Sequence, residues 1–426
     1  RNIYKMINRK IVASAFALLV SIGIFAQNST NSPYTRFGYG KLIDGGFART
    51  NSMGGIGLGF RSKNTINIIN PAAYSEIDST SFLFEFGLSG MMSRFASKTA
   101  SSTKITGNID YVALQFPITK WIGVSAGLVP YSFVGYAFKT KDSLRIPSNN
   151  DTVYCRNIQS FGGVGGISQV YLGMAFRFFD RLSLGVNGYY MFGEVSHARY
   201  SEQEFSDKRP THSTTSTSTL KVRSFNTRLG LQYSQKLREN KDLLTVGAIY
   251  EFQHKLGSEY TVSTYGVDTV LDTLNNVFEL PNVYGLGFTY TLDNRLMFGA
   301  DAVYQQFAKA YFQNQPNVLN NRLKLSAGIE FVNKPNGNRY IDRMVWRLGA
   351  NYATSYAKVN DSNLSDYAVT LGFGFPFRAN RSMLNLHLEY GGMGAMHSSN
   401  LLKENYLKVG ISFSLNEMWF YRLLLR

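Results

Sequence analysis

The 426-residue sequence contains one cysteine, three tryptophans and ten prolines, and only 17% of its residues are charged. The lone Cys155 excludes a disulfide framework and a paired-cysteine metal or redox site. A charge fraction well below the ~25% of ordinary soluble domains argues against a coiled coil and a charged disordered chain. Beyond residue 26 no uncharged apolar run approaches the ~18 residues of a membrane-crossing helix, and the slightly polar mean hydropathy disfavours a helical membrane bundle. The abundant residues are glycine (39), phenylalanine (31) and tyrosine (27). That balance fits a sheet protein with a large apolar surface.

Arg1, Lys5, Arg9 and Lys10 precede an uncharged stretch from Ile11 to Ala26, followed at once by polar Gln27-Asn28-Ser29-Thr30. A basic start, an apolar middle and a small residue at the end read as a secretory signal peptide over 1–26. A spanning anchor is the alternative, slightly short of the ~20 residues it needs. No cysteine lies near Ala26, so a lipoprotein anchor is not expected. Cleavage would lower the formal net charge of +16 by four.

From Phe82 onward, stretches of about ten residues carry apolar side chains at every second position. Val170, Leu172, Met174, Phe176 and Phe178 alternate with Gln169, Tyr171, Gly173, Ala175 and Arg177. Leu323, Leu325, Ala327, Ile329 and Phe331 alternate with Lys324, Ser326, Gly328 and Glu330, and Leu407 to Leu415 repeats the pattern. Period two puts each set on one face of a strand. Runs near 82–95, 103–117, 121–137, 168–179, 181–197, 219–237 and 242–256 are followed by seven more near 281–292, 295–307, 320–332, 341–357, 364–377, 381–393 and 404–415. Connections after even-numbered runs are short, as at Asp180 and Asp293-Asn294; those after odd-numbered runs are longer and polar, as at 138–167, 198–218 and 257–280. Short turns on one side and long loops on the other mark a bacterial outer-membrane barrel. The expected fold is all-β: a 14-stranded antiparallel transmembrane β-barrel over 81–416, with a short periplasmic tail over 417–426. A soluble sandwich of fourteen long strands would be unusually large.

Residues 27–80 are too long for a leader into the first strand. Glycine is frequent there, in Phe37-Gly38-Tyr39-Gly40 and Met53-Gly54-Gly55-Ile56-Gly57-Leu58-Gly59, and the segment runs on to Asn70-Pro71-Ala72. It reads as a periplasmic extension or as a plug inside the barrel. The Gly-rich run, Asn70-Pro71-Ala72 before the first strand and the fourteen runs together resemble the FadL family of long-chain fatty acid transporters. That resemblance implies an N-terminal hatch over 27–80. It also implies that the Asn-Pro-Ala segment sits against an inward kink in the third strand, where ligand leaves sideways into the membrane. The third run does carry Pro130, and proline, which cannot donate to a ladder, marks a bulge there or the outer rim.

With the large apolar side chains facing lipid, the inward set includes Glu85, Arg177, Arg228, Glu251, Asp301, Lys324, Glu330, Arg347 and Glu389. Charges at membrane depth normally face the interior and pair there. The expected role is a salt-bridge network that props the barrel and seats the hatch.

Gly123-Val124-Ser125-Ala126-Gly127 matches the nucleophile-elbow spacing but lies within an alternating strand rather than a strand-turn-helix. His197, His212, His254, His387 and His397 have no ligand spacing, so neither a metal nor a cofactor is expected. Gly162-Gly163-Val164-Gly165-Gly166 lacks the Lys-Ser/Thr of a phosphate loop and reads as a flexible loop. Lys and Arg form no basic domain, which argues against nucleic acid and for outer-membrane lipid and lipopolysaccharide. The leading expectation is a non-enzymatic outer-membrane barrel for passive uptake of a hydrophobic small molecule. The alternative is a scaffold barrel resembling the FadL-like shuttle of the type IX secretion system, holding a surface protein.

Overall fold

The computed structural model describes residues 30–97, 101–148, 151–206, 212–238, 241–266, 269–335, 337–359, 364–377, 381–394 and 402–418. The expected signal peptide and all but the start of the expected tail fall outside the described residues.

Fourteen strands form the barrel. The first seven are β1 (Ser81–Ala96), β2 (Ser101–Thr119), β3 (Ile122–Ser148), β4 (Asp151–Phe178), β5 (Leu182–Phe205), β6 (His212–Leu237) and β7 (Asp242–Glu251). The second seven are β8 (Val283–Leu292), β9 (Leu296–Gln305), β10 (Arg322–Val332), β11 (Val345–Thr354), β12 (Ser365–Pro376), β13 (Met383–Gly394) and β14 (Lys403–Met418). Each pairs antiparallel with its chain neighbours, β7 meets β8 across the long connection, and β14 closes on β1. No helix among the described residues is long and apolar enough to cross a membrane.

Alternation decides which side chains face out. In β10 the outward Leu323, Leu325, Ile329 and Phe331 are exposed while Arg322, Lys324, Ser326 and Glu330 are buried in the lumen. In β4, Val170 and Leu172 face out, with Leu172 65% exposed. This inversion of the soluble pattern is what a lipid-facing surface requires.

Two long connections differ from the sequence expectation. The stretches 138–167 and 198–218 are not open loops. β3 and β4 continue as a hairpin to Ser148 and Asp151, and β5 and β6 continue to Phe205 and His212. There apolar side chains occur on both faces, as with buried Phe161 and exposed Val164, among many polar ones, so the hydrophobic contrast that reveals a strand fades. The Gly162–Gly166 run, read as a loop, belongs to β4 and packs against β5. Gly165 has a φ of +113°, and a Cβ there would stand 2.1 Å from the Glu194 carbonyl oxygen, so only glycine fits. Within 257–280, strand Ser258–Tyr265 pairs with β6, and strand Val270–Asn275 pairs with Ser258–Tyr265. These extensions raise a sheet on one side of the barrel mouth.

A Leu172→Arg substitution should cost about 2–4 kcal/mol when the barrel folds into lipid vesicles, because the charge would sit in hydrocarbon. Urea titration of vesicle-inserted protein measures it, and an unchanged midpoint would contradict a lipid-facing β4.

Candidate functional site

The segment from Thr30 to Thr80 lies within the ring of strands, and its backbone is met by inward wall residues. Asp301 of β9 accepts the N–H groups of Gly57 at 2.6 Å and Leu58 at 2.8 Å. Glu85 of β1 accepts Ile66 N–H at 2.8 Å. Arg228 of β6 holds Glu251 of β7 at 2.5 Å and donates to the Ile69 carbonyl at 3.3 Å. Glu330 of β10 binds Arg49 at 2.7 Å and Arg347 of β11 at 2.7 Å, and Arg347 reaches the Asn385 side-chain oxygen at 2.9 Å. Lys324 holds Asp44 at 2.9 Å. Arg177, near the lower rim, reaches Glu76 at 3.7 Å and Asp180 at 3.8 Å. Glu389 is the exception: it accepts from the Tyr406 hydroxyl at 2.9 Å and lies 3.3 Å from His387, both on the wall.

Charges of the segment that meet the wall, such as Asp44, Arg49 and Glu76, escape a strand-period reading because no strand pattern assigns them a face. Arg322, which also binds Asp44 at 2.7 Å, shares the inward face of Lys324 two residues on, and that spacing was readable.

Asn70 caps the short 3-10 helix Pro71–Glu76, its side-chain oxygen accepting Ala72 N–H at 3.1 Å. Its amide nitrogen donates to the carbonyls of Leu58 at 2.8 Å and Leu231 at 3.0 Å. Inward glycines make room for this approach. A Cβ on Gly230 would fall 2.2 Å from the Asn70 side-chain oxygen, and one on Gly247 would fall 1.8 Å from the Leu58 carbonyl oxygen. Asn70, Pro71 and Ala72 therefore rest against β5 and β6, through Gly185 and Gly230, rather than against Pro130. Leu42 to Phe47 share a cavity lining with Pro130 instead.

Pro130 marks a break in the wall, not the outer rim. Strands β2 and β3 pair from Thr119–Ile122 up to Val112–Leu128, and above that the two strands do not pair among the described residues. Higher up, β2 stays paired to β1 as far as Ser101, and β3 stays paired to β4 as far as Ser148. Each parting strand carries one extra residue at this height. Asp110 bulges between the Tyr111–Gly87 and Ile109–Leu88 pairs, and Tyr131 bulges between the Pro130–Ser168 and Ser132–Ile167 pairs. Part of β3's freed edge is taken from inside: Lys41 pairs with Phe133, Leu42 pairs with Ser132, and Ile43 N–H donates to the Tyr131 carbonyl at 2.9 Å.

A cavity of about 150 Å³ lies at the break, with Leu42, Phe47, Val129, Pro130 and Phe133 as apolar lining and Lys41, Asp110, Asp366 and Glu389 as polar lining. A second cavity, of about 330 Å³, lies at the mouth. Its lining includes Tyr136, Phe161, Tyr260, Phe278 and Phe312, with Arg36, Arg199, Lys358 and His197 and, among the described residues, no carboxylate. The Arg36 guanidinium lies 4.1 Å from the Phe161 ring centroid. Aromatic walls beside cations suit an amphiphile with an anionic head.

Ser125, in the elbow-like sequence, sits inside β3, its hydroxyl donating to the Leu114 carbonyl at 2.9 Å beside the Tyr171 hydroxyl at 2.9 Å. That is a strand hydroxyl with local partners, not a nucleophile on a turn. Among the described residues no His/Cys/Asp/Glu group is arranged to hold a metal.

This is a fourteen-stranded antiparallel transmembrane barrel whose inward wall residues hold the N-terminal segment. The chain belongs to the BamG family, whose model matches residues 6–424. Solved structures share the fold at low identity. The Pseudomonas putida toluene transporter TodX is 15% identical, with 89% of this chain and 100% of that chain covered and a TM-score of 0.56. The CymD monoaromatic hydrocarbon channel is 14% identical, covering 90% and 100%, with a TM-score of 0.57. A Pseudomonas aeruginosa FadL homologue is 13% identical, covering 88% and 98%, with a TM-score of 0.56. No curated protein sequence matches the chain.

Replacing Glu330 by Gln removes the carboxylate that bridges Arg49 and Arg347, at a cost of roughly 3–5 kcal/mol. Trypsin should then cut after Arg49 or Arg61 in a barrel that still shows heat-modifiable gel migration. Equal resistance in variant and parent would refute the seating role of this pair.

Proposed function

We propose that this chain is a Gram-negative outer-membrane barrel for passive uptake of hydrophobic compounds, fatty-acid-like amphiphiles included. Cargo meets the mouth cavity, moves along the N-terminal segment acting as a hatch over 27–80, and leaves sideways between β2 and β3 into the bilayer. The break in the wall above Val112–Leu128, beside a cavity with one apolar side (Leu42, Phe47, Val129, Pro130 and Phe133) and one charged side, carries this reading. In it, Pro130 sustains the opening and Asn70, Pro71 and Ala72 hold the lower hatch against the wall. The inward charges seat the hatch rather than conduct an ion. The fold shared with a toluene transporter and a monoaromatic hydrocarbon channel supports an apolar cargo. The cationic side chains at the mouth favour a carboxylate-bearing one.

A second reading, a scaffold that holds a surface protein, draws on the raised outer sheet. Its last strand, Val270–Asn275, is exposed at all six residues, with Leu271 at 70%. A bare strand of this kind is a template for another chain. Loss of a co-purifying stoichiometric surface protein on deleting residues 258–275 would favour the scaffold.

Purified barrel in liposomes should transfer a labelled long-chain fatty acid faster than empty liposomes. Arg36→Glu with Arg199→Glu should slow that transfer roughly tenfold, about the worth of one hydrogen bond to a charged group, while sparing a neutral aromatic probe. Transfer no faster than the empty control for both probes would overturn uptake.

A further inference from the structure

The short-turn rim of the barrel has one corner unlike the rest. Residues 333–344, between β10 and β11, form the longest connection on that side and carry the short helix Tyr340–Arg343. The stretch holds three cations, Lys334, Arg339 and Arg343, against one carboxylate, Asp342. Asp342 is engaged within the loop: its side chain accepts from the Asn333 amide at 2.7 Å, and its carbonyl accepts Lys334 N–H at 2.8 Å. A fourth cation arrives from the β8–β9 turn, where Arg295 Nε donates to the Asn333 carbonyl at 2.6 Å.

Among the described residues, none of these four cations is in an ion pair. Other cations of the same rim find carboxylates. Arg238 reaches Asp242 and Asp293, each at 3.2 Å, and Lys63 and Arg381 share Asp78. One donor in the corner is left over. Arg343 Nε is shielded from solvent and has no hydrogen-bond partner, while its guanidinium lies 5.6 Å from the Tyr340 ring centroid. A shielded donor of this kind is costly unless an acceptor meets it. Apolar side chains adjoin the cations. Tyr340 and Ile341 are exposed, and the corner runs directly into β11. There the outward Trp346 stands opposite Phe331 and packs edge-on against Phe373, with 5.2 Å between ring centroids. Aromatic rings with basic residues just beyond them mark the boundary between hydrocarbon and headgroups.

We propose that this corner binds the phosphate of an anionic glycerophospholipid in the leaflet beside the lower rim. That leaflet is the periplasmic one, a placement that rests on the outer-membrane reading. Lys334, Arg339 and Arg343 meet the phosphate, with Arg343 Nε–H among the donors, since guanidinium forks suit phosphate oxygens. Arg295 holds the loop in place and adds its charge. Tyr340 and Ile341 border the glycerol and the first carbons of the acyl chains. Free phosphate would leave those two side chains in water, and a zwitterionic lipid would bring its own cation into a site that already has four. An anionic lipid avoids both. The corner also joins the two strands whose Glu330 and Arg347 hold Arg49, so the lipid braces that seat from outside the barrel.

Native mass spectrometry tests the site, using barrel reconstituted in vesicles of phosphatidylcholine and phosphatidylglycerol and then released into detergent. The parent should retain phosphatidylglycerol over phosphatidylcholine. Arg339→Gln with Arg343→Gln should lower that retention roughly fivefold for each cation removed. Lys236→Gln with Lys241→Gln, on the β6–β7 turn of the same rim, should leave it unchanged. Equal loss in the two variants would mean a diffuse basic field, and equal retention of both lipids by the parent would mean no headgroup site; either overturns the proposal. Tyr340→Ser with Ile341→Ser keeps every cation and should still weaken retention, and millimolar inorganic phosphate should not displace the lipid from the parent. Displacement by phosphate, with retention unmoved in that variant, would assign the corner to a soluble anion and overturn the lipid. If detergent strips lipid from every sample, urea midpoints in vesicles decide. Adding phosphatidylglycerol should raise the midpoint of the parent and not that of the Arg339→Gln, Arg343→Gln variant, and an equal shift in both would overturn the site. None of these readouts involves cargo, so loss of this site and failure of fatty-acid transfer are separate results.

Discussion

The constraint on which this molecule rests is that a backbone amide in hydrocarbon must have a partner. It dictates closure of fourteen strands through the β7–β8 and β14–β1 ladders. It also dictates how the lumen is filled. A segment inside the barrel whose described strand is only the two-residue Lys41–Leu42 brings N–H and C=O groups that the wall ladder cannot satisfy. The wall meets them with side chains instead: Asp301 for two successive amides, Glu85 for a third, and Gln232 for the carbonyls of Leu58 and Phe60. The inward glycines are the steric counterpart, because a carboxylate can cap a backbone only if that backbone comes close.

The same constraint explains why the charges occur as triads and pairs. Two desolvated charges gain little over an apolar pair of equal volume, but one left alone is expensive. On the hatch reading, Glu330 between Arg49 and Arg347, and Asp44 between Arg322 and Lys324, serve as registry devices more than as sources of stability. Each joins a residue of the segment to strands far along the chain. Such a pair forms fully only when the segment sits in one place.

Much of the barrel was legible because lipid writes a period of two into the strands. Leu323 to Phe331 and Leu407 to Leu415 alternate so regularly that strand number, direction and facing follow from them. Legibility ended where hydrophobic contrast ended. Ser213 to Thr219 is built wholly of Ser and Thr, it forms the upper part of β6, and a polar strand in water looks like a loop. Inward charges on strands, such as Glu330 and Asp301, were readable from facing alone. Their partners Arg49, Gly57 and Leu58 were not, since nothing in a Gly-rich segment states which wall residue it meets. Pro130 was visible as a ladder defect. The parting of β2 from β3, and the entry of Lys41–Leu42 into the vacated place, depend on a contact between residues some ninety positions apart.

A lumen this polar looks ill suited to apolar cargo, and the height of the break resolves the conflict. Pro130 stands eight residues above the start of β3, whereas Glu330 stands two residues from the lower end of β10. On the proposed route a molecule at the level of Pro130 never has to pass the Arg49–Glu330–Arg347 layer. It leaves through a wall cavity whose apolar side is Leu42, Phe47, Val129, Pro130 and Phe133. On that reading the polar plug below is the barrier that the cargo avoids. It makes the sideways path the one of lower desolvation cost, and its Lys41 and Leu42 pair with the outer edge of β3.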